Sequence, residues 1–77
     1  MEDSRAAEYL MHFGLSRQEA LVYEQLLARG KQTGYEIARS TGISRSNAYT
    51  SLAALVEKGA AYLVEESAKK YIPVPPE

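Results

Sequence analysis

The run of residues richest in chemistry is 41–52, TGISRSNAYTSL. Thr41, Ser44, Ser46 and Asn47 place small hydroxyls and an amide within seven positions, with Arg45 among them. Capping a helix takes one such side chain, so the others need a second reason. Arg brings a forked, always-charged set of donors, Asn a donor beside an acceptor, and Ser or Thr either function. Such a set suits a surface of fixed donors and acceptors. Nucleophilic catalysis fits poorly. His12 is the one histidine, with no triad or metal partner near it in sequence, and the chain has no cysteine. The acidic residues show no metal-ligand spacing, and no phosphate loop, dinucleotide motif or nucleophile elbow is present. Neither an enzyme, a cofactor nor a metal is expected, and no small-molecule site is expected within the chain.

The elements that must position this run follow from local signals. SRAAEYLMHFG has helical spacing and predicts a short first helix over about 4–13, capped by Asp3 or Ser4. Ser16 and Glu19 form a capping-box pattern opening a helix over 16–29, with Ala20, Tyr23, Leu26 and Leu27 on its inner side. Thr33 and Glu36 repeat the pattern for a short helix over 34–40 that buries Ile37 and Ala38. Ser44 caps a longer helix over 45–58, whose expected buried stripe is Ala48, Leu52, Leu55 and Val56. Tyr62, Leu63 and Val64, then Tyr71 and Ile72, are strand formers around a polar turn, which predicts a hairpin over 61–73. Residues 74–77 read as an extended tail. The fold class is therefore mainly α with a small β-hairpin (α+β), a three-helix core preceded by a short N-terminal helix, in the order of a winged helix-turn-helix.

Position by position, the helix-turn-helix pattern holds. Ala38 is small where two helices cross, Gly42 accepts positive φ in the turn, and Ile43 pins the turn to the core. Ser51 departs from the pattern, standing where such motifs favour Leu or Ile; Leu52 beside it is expected to fill that role. With Ala48, Leu52 and Leu55 inward, the outer face carries Arg45, Ser46, Tyr49 and Thr50, with Asn47 to the side. A recognition helix meets base edges in the major groove with such residues. The bland alternative is a solvated face. Thr33 and Tyr35, at a helix N-terminus, suit a phosphate or serve as caps. Tyr49 either packs beneath its helix or reaches a phosphate. Tyr23 and Tyr62 are expected in the core with wet hydroxyls. Arg39 reads as a solvated or phosphate-contacting charge.

Three stretches, FGLSRQEALVYEQLLARG, GYEIARSTGISRSNAYTSLAALVEKG and YIPVPPE, together resemble the N-terminal DNA-binding domain of TrmB-type transcriptional regulators, over about residues 10–77. The resemblance implies a winged helix that binds double-stranded operator DNA as a homodimer. Carried over, the recognition positions are Arg45, Ser46, Asn47, Tyr49 and Thr50, with the cap Ser44 counted among the DNA-binding residues, and the wing presents Lys69 and Lys70 to the backbone or minor groove. Family members usually continue into a helical linker and an effector-binding domain, and effector binding is not carried over to these residues.

Length and composition set the outer bounds. The 77 residues suffice for one small domain, and 45% of them are apolar, enough for a modest core. No apolar run is long enough to span a membrane, and no signal peptide is visible, so a cytoplasmic protein is expected. The net charge of −1 is unevenly spread: residues 31–60 carry four cations and two anions, residues 1–30 three cations and five anions. The apolar side of the first helix (Ala6, Ala7, Leu10, Met11) is a candidate dimer contact. The rival to DNA is a winged helix serving as a protein-interaction module, which the net charge and the acidic Glu65 and Glu66 of the wing favour.

Overall fold

The computed structural model describes residues 13–75. The expected first helix, His12 and the dimer candidates therefore lie outside the described residues, except for Phe13. Three helices and three strands follow: α1 (Arg17–Arg29), β1 (Gln32–Thr33), α2 (Gly34–Thr41), α3 (Arg45–Glu57), β2 (Ala61–Glu65) and β3 (Lys69–Pro73).

Each helix starts where a side chain satisfies its first amides. At α1, Glu19 N–H donates to Ser16 Oγ at 3.1 Å and Ser16 N–H to Glu19 Oε1 at 2.9 Å. At α2, Thr33 and Glu36 repeat both bonds at 3.1 and 2.9 Å. Ser44 opens α3 with one such bond, from Asn47 N–H. The turn between α2 and α3 needs a left-handed residue, and Gly42 takes φ 80° while its N–H donates to Ala38 O. Thr41 Oγ1 donates to Ile37 O at 2.7 Å and accepts from Ile43 N–H, which ties the turn back onto α2.

The core lies between the three helices and one face of the sheet, with Tyr23, Leu26, Ile37, Leu52 and Leu55 fully buried. Phe13 meets the Tyr23 ring edge-on at 5.4 Å. Ile43 packs against this core after the turn. Together these features make the chain a winged helix-turn-helix.

Several expectations are corrected. The sheet is not a lone hairpin: β1 joins it in the order β1–β3–β2, all antiparallel. Gln32 pairs with Tyr71 and Thr33 with Lys70, so the segment entering α2 is fixed to the wing. Pro73 ends β3 opposite Ala61, and the N–H of Val74 beyond it donates to Ala60 O. The Tyr23 hydroxyl is not wet but donates to Val74 O at 2.6 Å. Tyr62 is half exposed, and Tyr71 takes the buried place instead. Val56 is exposed at the edge of the stripe. Ser51 is buried beside Leu52, and its hydroxyl donates to Gln18 Oε1 at 3.2 Å across to α1. Burying a hydroxyl is tolerable there because the bond satisfies it.

Candidate nucleic-acid interface

Arg45 begins α3, and Ser46, Asn47, Tyr49 and Thr50 follow it on the exposed side of the helix. With Ala48, Ser51, Leu52 and Leu55 buried, the helix presents an outer face without a carboxylate before Glu57. Not every polar group on that face is free. Ser44 Oγ accepts from Asn47 N–H, leaving its O–H to donate. Thr50 Oγ1 donates to Ser46 O at 2.9 Å, so the Thr50 hydroxyl is left as an acceptor.

The short helix α2 completes this surface. Its second residue, Tyr35, is half exposed, and the Arg45 guanidinium lies over its ring with Cζ 5.1 Å from the centroid. Arg39, one turn along α2, lies over the same ring at 5.8 Å, and its Nη1 reaches the Tyr35 hydroxyl at 3.4 Å. Neither guanidinium pairs with a carboxylate among the described residues. Thr33 stands at the start of α2, its hydroxyl accepting from Glu36 N–H. An open groove of about 680 Å³ runs past these residues, lined by Arg29, Gln32, Thr33, Tyr35, Glu36, Arg39 and Ser40.

Tyr49 joins α3 to α2. Gly34, the first residue of α2, is buried, and a methyl group in its place would run into the Tyr49 ring. Glycine here serves close approach rather than an unusual φ. Tyr71 lies nearby on β3: burial, and then the neighbouring Tyr49, push its phenol above the usual value.

The wing is less cationic than its lysines suggest. Lys69 is exposed opposite Glu65 in the register. Lys70 lies 3.7 Å from Glu66, which also holds Lys31 at 3.0 Å. Lys31 above all, with a lesser part from Lys70, holds the Glu66 carboxyl below the usual glutamate value, against the desolvation that raises it.

The structure thus gathers Thr33, Tyr35, Arg45 and Tyr49 at the junction of α2 and α3, continues to Ser46, Asn47 and Thr50 along α3, and sets Lys70 beside Thr33 through the β1–β3 pairing. Lys69 lies apart, at the turn end of the hairpin. Sequence reasoning read Arg39 as a solvated or phosphate-contacting charge without joining it to Tyr35, and it left Gly34 out of the site. The Tyr35–Arg39 spacing of four on one helix is the signal that could have joined them. Nothing local announces Gly34, whose partner ring is on another helix. Among the described residues, no group of three or more potential ligands is placed to hold a metal ion, and no helix is long and apolar enough to cross a membrane.

Fold and site together define a winged-helix domain of the kind found in transcriptional regulators. A family model, Sugar-specific transcriptional regulator TrmB, matches residues 10–77, and the chain belongs to the TrmB family as an N-terminal winged-helix domain. This is a family of regulators, not enzymes. The HTH-type sugar sensing transcriptional regulator TrmBL1 of Pyrococcus furiosus is 31% identical over all of this chain and 23% of its own length. The uncharacterized protein YrhO of Bacillus subtilis is 31% identical over 88% of this chain and 25% of its own. The chain thus spans about a quarter of the curated relatives it matches. Among solved structures, TrmBL2, an archaeal chromatin protein with a novel mode of DNA binding, superposes with a TM-score of 0.83 at 35% identity, over 99% of this chain and 30% of that one. The Zalpha domain of Carassius auratus PKZ, solved in complex with Z-DNA, shares the fold at 19% identity and TM-score 0.71, over 75% of this chain and 94% of that one.

Proposed function

We propose that this chain binds double-stranded DNA, sequence-specifically and as a homodimer, in the cytoplasm, as the DNA-binding part of a transcriptional regulator. In this reading α3 enters the major groove. Arg45 and Asn47 meet base edges, and Ser44, Ser46 and Thr50 meet bases or nearby phosphates. Tyr49 and Thr33 approach the backbone, Lys69 and Lys70 of the wing follow it, and Tyr35 sets its ring against Arg45. The observation that carries the proposal is the pair Arg39 and Arg45, two exposed guanidiniums on one tyrosine with no acidic partner among the described residues. Like charges held together in this way favour an anion between or beside them, and a DNA backbone supplies one every few ångströms.

A second reading has its own observation. Glu66 occupies two of the lysines beside the wing, which suits a winged helix that meets a protein instead. Titration with pooled random duplexes at two salt concentrations, followed by selection and sequencing, separates the two. Salt-sensitive binding with an enriched, roughly palindromic site is the expected result. In that site, Arg45→Ala is expected to cost about 1–3 kcal/mol, with a smaller loss on random duplex. Absence of binding at low salt and micromolar protein favours the protein partner.

A further inference from the structure

Resting on the proposed contact between α3 and DNA, we infer that Tyr35 is a positioning residue, whose ring face holds the Arg45 guanidinium ready for its base. Arg45 is the first residue of α3 and stands exposed on a long, flexible stem. Such a side chain loses much rotamer freedom when its fork is fixed on a base, and that loss subtracts from affinity. A carboxylate could restrain it, but would occupy the donors that the base needs. An aromatic face restrains it differently. The Arg45 Cζ lies 5.1 Å from the Tyr35 centroid, within reach of a cation–π attraction. That attraction acts through the face of the guanidinium and leaves its N–H donors free.

The ring is itself restrained. Arg39 Nη1 donates to the Tyr35 hydroxyl at 3.4 Å from the same helix, which ties the ring to α2 and leaves the Tyr35 O–H as a donor. The support therefore belongs to α2, and the side chain it holds belongs to α3. The turn at Gly42 that sets the angle between these helices also sets where the arginine points.

The test has two arms on the same variants, Tyr35→Phe and Tyr35→Leu. In the first, NMR of the free protein reads the ring-current shift on the Arg45 side chain. The shift is expected to persist in Tyr35→Phe and vanish in Tyr35→Leu. Tyr35 is half exposed, so neither change threatens the fold. In the second arm, each variant is titrated with the selected duplex, with random duplex, and again in an Arg45→Ala background. Tyr35→Leu is expected to weaken the selected duplex roughly two- to fivefold, with little loss on random duplex. Tyr35→Phe stays near wild type, and Tyr35→Leu adds nothing once Arg45 is gone. If Phe damages binding as Leu does, equally on both duplexes, the hydroxyl is a phosphate contact and the positioning role is overturned. A Leu loss that persists in the Arg45→Ala background also overturns it. Both results leave DNA binding by α3 standing, whereas a wild-type chain that binds no duplex removes both.

Discussion

A single hydrogen at position 34 decides where the Tyr49 ring can rest. Gly34 is buried under that ring, and a methyl group there would collide with it. The obstacle is the end of a side chain that is itself 44% exposed, so the ring can swing away while the backbone stays in place. Alanine is also the better helix former by up to about 1 kcal/mol. Gly34→Ala is therefore expected to leave stability within about 1 kcal/mol of the parent, while DNA affinity falls because Tyr49 leaves its place on the face of α3. Thermal melts and duplex titrations measure the two separately. In a Tyr49→Ala background the same substitution should cost no affinity, since the ring it displaces is gone. An unchanged affinity in the parent background would take Tyr49 out of the interface. No sequence pattern signals this contact, because it joins the first residue of one helix to the middle of the next. The tyrosines show the same limit. Tyr62 and Tyr71 both read as strand residues, and only the register, with Tyr71 opposite Leu63 and Gln32, decides which is buried.

At the level of elements, what could be read in advance was what the chain fixes locally. Ser16 with Glu19 and Thr33 with Glu36 are three residues apart, so the helix starts follow from spacing alone. β1 could not be read, since two residues carry no period and Gln32 is polar. Its burial comes from pairing with a strand almost forty residues away. Ser51 and Val56 lie on opposite flanks of the stripe centred on Ala48, at about 60° and 80° from it by the helical step. The choice of Ser51 over Val56 for burial depends on Gln18 of α1. The junction of α1 with the end of α3 makes a testable case. Lys58 Nζ reaches Glu19 Oε1 at 2.6 Å and Gly14 O at 3.0 Å, so the carboxylate that caps α1 also holds the residue ending α3. Burial pushes the Glu19 carboxyl up, but Lys58 and the Ser16 N–H outweigh it and hold it below the usual glutamate value of 4.5. A carboxyl lowered by folding stabilises above the pKa of the unfolded chain, and that contribution is lost as pH falls through the lower folded value. Glu19→Gln keeps an acceptor for the Ser16 amide and removes the charge. It is expected to cost about 0.5–1 kcal/mol at pH 7. Melts at falling pH should show the gap between the two proteins narrow below the usual glutamate value of 4.5 and close below the lower folded value. A constant gap across that range would assign the effect to packing.

Over the whole molecule, the net charge of −1 hides how the cations are distributed. Lys31, Lys58 and Lys70 each have a glutamate within ion-pair distance, while Arg39 and Arg45 have none among the described residues. Arg17, Arg29 and Lys69 are unpaired among the described residues as well, but Arg39 and Arg45 stand together where α2 meets α3, while Glu66 holds Lys31 and Lys70 on the wing side. A sequence sum over residues 31–60 finds the positive region but not this division, because Glu66 lies outside that window and reaches back across the sheet to Lys31. Few free cations on the interface mean few counterions released on binding. A chain that neutralises about three phosphates should show a slope of log K against log salt near −3. Glu66 is the residue that sets this limit, and Glu66→Ala tests it. The substitution releases Lys31 and Lys70 together. It is expected to tighten binding to random and selected duplexes alike, and to steepen the slope by about one to two. Base preference should not change, since neither lysine is placed to read a base. The opposing effect is that Glu66 ties the end of α1 to the wing, so its loss could loosen β3 and weaken the contact instead. The two effects differ in what they do to the salt slope. Released lysines steepen it, whereas a loosened wing lowers affinity and leaves the slope flat or shallower. A flat slope with unchanged affinity would mean that the wing lies away from the phosphates, and that α2 and α3 carry the contact alone.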